Sequence, residues 1–69
     1  MVHLYTEKLM VGQQDDIVMV LADAGIETYD ILETSNGLEF ILESNDMDLV
    51  ERIVDDEFPG LYYADVELR

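Results

Sequence analysis

A chain of 69 residues forms one small domain, and at this length only about 60% of the surface of the unfolded chain becomes buried. The sequence contains no cysteine, which excludes disulfides, and His3 is its one histidine, which excludes zinc sites built from Cys and His. Seventeen Asp and Glu residues against three Lys and Arg give a net charge of −14. This charge disfavours nucleic acid and anionic membranes and favours basic protein surfaces.

The apolar fraction of 49% is ordinary for a globular domain and too high for a disordered acidic tail. No apolar run approaches the roughly 18 residues of a membrane span. No basic segment precedes an apolar one at the start of the chain, so we see no signal peptide. A cytoplasmic protein without a membrane partner is therefore expected.

The segment "VHLYTEKLM" alternates like a strand, with Val2 and Leu4 on one side. The other side carries His3, Tyr5 and Glu7. Gly12 interrupts the pattern, and "QQDDIVMVLADAG" then predicts a helix over 14–24. Gln14 or Asp15 is expected as its N-cap and Gly25 as the residue after its C-cap. Its apolar stripe comprises Ile17, Val20, Leu21 and Ala24.

Asn36-Gly37 is a strong hairpin signal, because a type I′ turn needs two residues with positive φ. A two-residue loop at these positions would pair Ser35 with Leu38, Glu33 with Phe40 and Ile31 with Leu42. One face of this hairpin would then carry Tyr29, Ile31, Leu38, Phe40 and Leu42. The other face would carry Asp30, Leu32, Thr34, Glu39, Ile41 and Glu43.

The segment "SNDMDLVERIVDDEF" predicts a second helix, with Ser44 or Asn45 as its cap and Pro59-Gly60 after its end. Its buried stripe would comprise Met47, Val50, Val54 and Phe58, flanked by Ile53. The last segment, "LYYADVELR", predicts a strand with Tyr62, Ala64, Val66 and Leu68 inward. Its outward residues would be Tyr63, Asp65 and Glu67.

The predicted order is β-α-β-β-α-β within a single domain spanning 1–69. This order predicts an α+β, ferredoxin-like fold, with a four-stranded antiparallel sheet and two helices on one face. The second and fourth strands would form the edges. The other face of the sheet would stay open, and it would be acidic with apolar and aromatic residues interspersed.

This open face is the candidate docking surface for a basic protein. Charges there would raise the association rate, and aromatic side chains would anchor the complex. The candidate partner-binding residues are Tyr5, Asp30, Glu39, Ile41, Glu43, Tyr63, Asp65 and Glu67. The outer acids of the second helix, Asp48, Asp55 and Asp56, come after them.

Two other interpretations of the acidity stay open. The acidic side chains can simply be solvated residues that protect the sheet against aggregation. Alternatively, the organism keeps high internal salt and makes all its proteins acidic. No nucleophile pair, phosphate loop or EF-hand pattern is present in the sequence, so we expect a protein that is not an enzyme and needs no metal or cofactor.

The stretch "VGQQDDIVMVLADAGIETYDI", with a glycine after the first strand and a helix ending in "LADAGI", resembles the ACT regulatory domain. The resemblance implies a ferredoxin-like fold and binding of a small metabolite such as an amino acid near the first loop, commonly between paired domains. The matching loop residues are Val11, Gly12, Gln13, Gln14 and Asp15. A regulatory module, dimeric through an edge strand, is therefore the alternative function.

The segments "LYT", "LADAGI" and "LEFILESNDMDLVERIV" also resemble a small prokaryotic domain regarded as a signal-transducing module, again ferredoxin-like. In size and acidity the chain is similar in character to phage-encoded inhibitors of host defence, such as anti-CRISPR proteins and other nucleic-acid mimics. That similarity implies a partner that normally binds nucleic acid, and a location in the host cytoplasm.

Overall fold

The structure is a computed structural model that describes residues 1–7, 12–58 and 63–69. Its elements are β1 (Val2–Glu7), α1 (Gln13–Asp23), β2 (Thr28–Glu33), β3 (Gly37–Leu42), α2 (Met47–Glu57) and β4 (Tyr63–Leu68). The strands form one antiparallel sheet in the order β2-β3-β1-β4. This is the predicted ferredoxin-like α+β fold, and β2 and β4 are the edge strands as expected.

The core lies between the sheet and the two helices. Alternate residues of β1 are fully buried, beginning with Val2 and Leu4, and they meet buried side chains from every other element except β2. These partners are Ile17, Leu21, Phe40, Leu42, Val50, Val54 and Val66. Each such side chain contributes about 1.5–3 kcal/mol when fully buried. Both helices therefore pack on one face of the sheet, as predicted.

The first helix begins one residue earlier than expected. Its N-cap is Gly12, whose φ of 92° lies in the left-handed region, and no side chain caps it, so the prediction of Gln14 or Asp15 as the cap is wrong. The C-terminal prediction is confirmed: Gly25 has a φ of 86°. Ile26 N–H donates to the Leu21 carbonyl at 2.8 Å and Gly25 N–H donates to the Ala22 carbonyl at 2.9 Å, forming a Schellman motif.

The cap of α2 is Asp46 and not Ser44 or Asn45. The Asp46 carboxylate accepts a hydrogen bond of 3.0 Å from the N–H of Leu49, the third residue after it, as an N-cap side chain does. Ser44 supports this cap from outside, because its hydroxyl accepts from Asp46 N–H at 3.1 Å. The predicted stripe of α2 is confirmed, with Val50 and Val54 buried and Met47, Ile53 and Phe58 packed beside them. Pro59, Gly60 and Tyr62 lie outside the described residues.

The hairpin between β2 and β3 exists, but its register differs from the predicted one. Thr34 N–H donates to the Gly37 carbonyl at 2.9 Å, so the two-residue loop is Ser35-Asn36. Glu33 consequently faces Leu38, and Ile31 faces Phe40. The Thr34 hydroxyl accepts from Gly37 N–H at 3.0 Å. Gly37 does not have the positive φ that the predicted type I′ turn requires.

Both edge strands carry a bulge. In β2 the register with β3 shifts between Thr28 and Asp30, and Tyr29 is the extra residue. In β4 the register with β1 shifts between Tyr5 and Thr6, and Ala64 is the extra residue. Tyr29 is 64% exposed, so its predicted place on the buried face is wrong. Leu68 lies on the helix side as predicted but is 53% exposed at the end of its strand.

Each bulge is followed by an aspartate that accepts a hydrogen bond from the next backbone N–H. Asp30 Oδ1 accepts from Ile31 N–H at 2.8 Å, and Asp65 Oδ1 accepts from Val66 N–H at 2.8 Å. Free donors on an edge strand invite pairing with another chain. The two aspartates each occupy one such donor, which disfavours the dimer through an edge strand that the alternative function requires.

Neither described helix is long and apolar enough to cross a membrane, since each has 11 residues.

Candidate functional site

The candidate site is the sheet face opposite the helices, which we call the open face. None of the described helices packs on it, because both lie against the buried residues of the sheet. Strand pairing places the following side chains on this face: His3, Tyr5, Glu7, Asp30, Leu32, Glu39, Ile41, Asp65 and Glu67. The prediction of an acidic face with apolar and aromatic residues between the acids agrees with this set, except for the three residues treated next.

Tyr63 does not belong to the open face. The bulge at Ala64 pairs Tyr63 with Thr6, which is 2% exposed and faces the helices. The Tyr63 hydroxyl donates to Asp55 Oδ1 of α2 at 2.7 Å, and its ring packs against the core. The prediction that Tyr63 lies beside Asp65 and Glu67 is therefore wrong. This hydrogen bond is the main cause that raises the pKa of the Tyr63 phenol, ahead of desolvation.

Glu43 and Thr34 also lie outside the open face, although the sequence predicted both of them on it. Glu43 follows the end of β3, where it is exposed and its N–H donates to the Glu27 carbonyl at 2.8 Å. Thr34 belongs to the turn. Glu43 can still contribute charge at the rim, but it has no place in the strand alternation that orders the open face.

The acids of the second helix, Asp48, Asp55 and Asp56, are all exposed on the helix side of the molecule. The sheet separates them from the open face, so one flat partner surface cannot contact both groups. The predicted set of partner-binding residues thus divides into two, and Tyr63 joins Asp55 in the second group.

Glu39 lies near the centre of the open face and is held by His3. His3 Nδ1 is 2.5 Å from Glu39 Oε2, and we assign the imidazole as the donor because an ionised carboxylate only accepts. Each of the two side chains is only 16% exposed. Glu39 is therefore a poor first contact for a partner, although it was among the strongest sequence candidates.

Tyr5 is surrounded by the groups that the open face brings together. Its ring stacks beside His3 with 6.5 Å between the ring centroids and an interplanar angle of 25°. Desolvation, then the negative charge of Glu39, raise the pKa of the Tyr5 phenol, while the nearby Arg69 lowers it. Tyr5 thus stays a neutral aromatic group among carboxylates.

Arg69 is the residue that the sequence analysis missed. Its guanidinium lies over Tyr5, with Cζ 5.8 Å from the ring centroid. Its Nε donates to Glu67 Oε2 at 2.9 Å, and its Nη2 lies 2.7 Å from the same oxygen. The hydrogen bond that Arg69 donates to the Glu67 carboxylate is the main cause that raises the pKa of Arg69. Because side chains alternate along a strand, Arg69 lies on the same face as Asp65 and Glu67, and this could have been predicted from the alternation in "DVELR".

The loop proposed for a metabolite offers a different setting. Gly12 caps α1, while Gln13, Gln14 and Asp15 form its first turn, and Val11 lies outside the described residues. Asp15 and Asp16 are both exposed in that turn. Their charges repel the carboxylate of an amino acid, which a helix N-terminus would otherwise attract.

Within the ranges 1–7, 12–58 and 63–69, no group of three or more His, Asp or Glu side chains is arranged to hold a metal ion. Comparison of the chain with family models, with curated proteins and with solved structures finds no match.

Proposed function

We propose that this protein is a non-enzymatic binding protein whose open face docks on a basic surface of a partner protein. The sharpest form of the proposal is an inhibitor of the phage type, including the anti-CRISPR class, that covers a nucleic-acid-binding groove. In this form the acidic face takes the place of the nucleic-acid backbone on the partner.

One observation carries the proposal: the face without helices holds five carboxylates around a short apolar and aromatic strip. The carboxylates belong to Glu7, Asp30, Glu39, Asp65 and Glu67. Neighbouring acids on one strand, such as Asp65 and Glu67, stand about 7 Å apart. A regular row of negative charges of this kind complements a positive groove of the sort that binds the phosphates of nucleic acid.

The strip between the acids supplies the contact energy that charge alone does not give. Tyr5 and Ile41 are half-buried, and Leu32 is 42% exposed. Aromatic and aliphatic anchors dominate binding energy at protein interfaces, whereas surrounding charges set association rate and specificity. The helix side also exposes apolar side chains, namely Met19 at 65% and Leu68 at 53%, whereas its aromatic rings at Phe58 and Tyr63 pack against the core.

The test begins with the partner, which is captured from the host lysate after nuclease treatment and identified by mass spectrometry. The purified partner is then bound to a fluorescent oligonucleotide, and the protein is titrated in. The proposal expects displacement of the oligonucleotide at a one-to-one ratio. A partner that binds the protein and the oligonucleotide together contradicts the nucleic-acid mimic.

Charge reversal then locates the docking face. The Glu7→Lys, Asp30→Lys double variant should slow association about tenfold and reduce its salt dependence, because steering charges act on the on-rate. The Asp48→Lys, Asp56→Lys double variant makes the same change of net charge on α2 and is the matched control. Association rates are measured by surface plasmon resonance between 50 and 300 mM salt. Near the middle of this range the Debye length, over which charges are screened, is about 8–10 Å. Equal slowing by both pairs contradicts docking through the open face.

A further inference from the structure

One end of the open face forms a groove of about 390 Å³ beside β1 and β4. The side chains of Tyr5, Glu7, Asp65, Glu67 and Arg69 line it, and the turn residues 34–36 close its far end. Three of these five side chains are carboxylates and one is an aromatic ring. The groove therefore offers a π face and several negative charges within the reach of one long cationic side chain.

The guanidinium of Arg69 already occupies part of this groove. Its Cζ lies 5.8 Å from the centre of the Tyr5 ring, its Nε donates a hydrogen bond of 2.9 Å to Glu67 Oε2, and its Nη2 lies 2.7 Å from the same oxygen. Arg69 thus displays which chemical group fits between Tyr5 and Glu67. A guanidinium suits this setting better than an ammonium, because it is planar, stacks on aromatic rings and presents several N–H donors in a fixed fork.

The arrangement is open to exchange. The Arg69 side chain is 60% exposed and the Glu67 side chain 38%. Exposed ion pairs contribute little to stability, so an incoming guanidinium can displace Arg69 at low cost. Asp65, exposed beside Glu67, adds a carboxylate to which Arg69 makes no hydrogen bond.

We infer that this groove receives an arginine side chain of the partner protein, and that Arg69 occupies the same position in the free protein. The inference rests on the proposed docking of the open face and names the side chain that the docking recognises. The partner is accordingly a basic protein with an arginine, not a lysine, projecting from its surface at the contact.

Two octapeptides test the inference, one with four arginines alternating with serine and one with lysines in their place. Titrations followed by NMR at low salt should show about threefold tighter binding of the arginine peptide, with shifts at the Tyr5 ring and Arg69 Nε, as a cation–π contact of modest strength predicts. Tyr5→Leu should remove the preference for arginine. Glu67→Gln, which keeps the size of the side chain and removes its charge, should remove it as well. Asp48→Asn on α2 is the control and should keep it.

Removal of Arg69 tests the competition. Arg69→Ala should tighten binding of the arginine peptide more than Arg52→Ala, which removes the same charge from the exposed surface of α2. Equal effects of the two variants, or equal binding of the two peptides, overturn the inference and leave the proposed docking intact. If the arginine preference depends on Tyr5 while charge reversal on the open face leaves the partner's association rate unchanged, the docking proposal fails instead.

Discussion

At Gly37 the backbone of β3 passes so close to β1 that a Cβ atom there would lie 2.0 Å from the carbonyl oxygen of Thr6. The atom that it would meet is backbone, in the central strand, and cannot turn aside as a side chain would. Gly12 and Gly25 differ from this case, because each has open space around it and is required for its positive φ. Glycine therefore serves two separate physical needs in this chain.

Gly37→Ala should destabilise the fold by about 3 kcal/mol, near the upper end of the usual cost of overpacking, because β1 and β3 must move apart. Gly25→Ala should cost about 1 kcal/mol through its left-handed backbone alone. Urea denaturation followed by circular dichroism measures both values. A Gly37→Ala variant no less stable than Gly25→Ala would contradict the close approach of the two strands.

The Tyr63 hydroxyl and Asp55 connect β4 to α2 on the helix side. Because this hydrogen bond raises the pKa of Tyr63 above its ordinary value of 10.0, folding favours the protonated phenol. The stability that results is fully present below about pH 10 and is lost as the pH rises through the raised value in the folded state.

Tyr63→Phe should therefore be less stable than the wild type at pH 8, and the difference should shrink as the pH rises above 10. Denaturation midpoints at pH 8, 10 and 11 report this trend. Comparing wild type with variant cancels the titration of Tyr5, whose pKa is also raised. In an Asp55→Asn background the Tyr63→Phe difference should be smaller at pH 8. A difference that stays constant across this pH range would speak against the bond.

Among the elements, those with strong local signals were predictable. The alternation of Val2 and Leu4, the stripe of α2 and the glycine after α1 all act within a few residues, so the element order and the buried face followed from the sequence. The predicted stripe of α1 was right only in part, because Val18 and not Val20 packs on the core and Ala24 is exposed. The hairpin was predicted at the right place in the chain, but its loop is Ser35-Asn36 and not Asn36-Gly37, so the predicted register was wrong. Gly37 is present for its contact with Thr6, which is 31 positions away in the chain and invisible to local rules.

The bulges were not predictable, because an extra residue in a strand depends on the neighbouring strand. Their effect on the candidate site is large: one bulge moves Tyr63 to the helix side, and the other moves Tyr29 to the surface. The open face itself was predictable from β1 and β3, which pair without irregularity from Val2 to Glu7. The contacts of Arg69 with Tyr5 and Glu67 required coordinates.

For the molecule as a whole, the net charge of −14 opposes compaction. The described part of the chain shows one ion pair between a basic and an acidic side chain, Arg69 with Glu67, besides the contact of the His3 imidazole with Glu39. Most carboxylates are therefore uncompensated, and screening by salt should reduce their mutual repulsion.

The melting temperature should rise by about 5 °C between 20 and 500 mM NaCl (a gain of about 1 kcal/mol for a domain of this size). The gain should level off above about 0.5 M, where the Debye length falls below roughly 5 Å. A triple variant, Asp23→Asn, Asp48→Asn and Asp56→Asn, should show a smaller rise. Stabilisation that continues to increase well above 1 M would favour an organism with high internal salt, and a flat profile would contradict repulsion as a cost.

The paired irregularities at Tyr29 and Ala64 also bear on how this chain can change its length during evolution. Removing the extra residue of either edge strand restores continuous pairing and leaves every other side chain on its present side of the sheet. Removing one residue from the middle of β1 or β3 exchanges the core with the acidic surface. Single-codon deletions are therefore tolerable at 29 and 64, whereas a deletion in the middle of β1 or β3 places apolar core residues on the surface and acidic residues in the core.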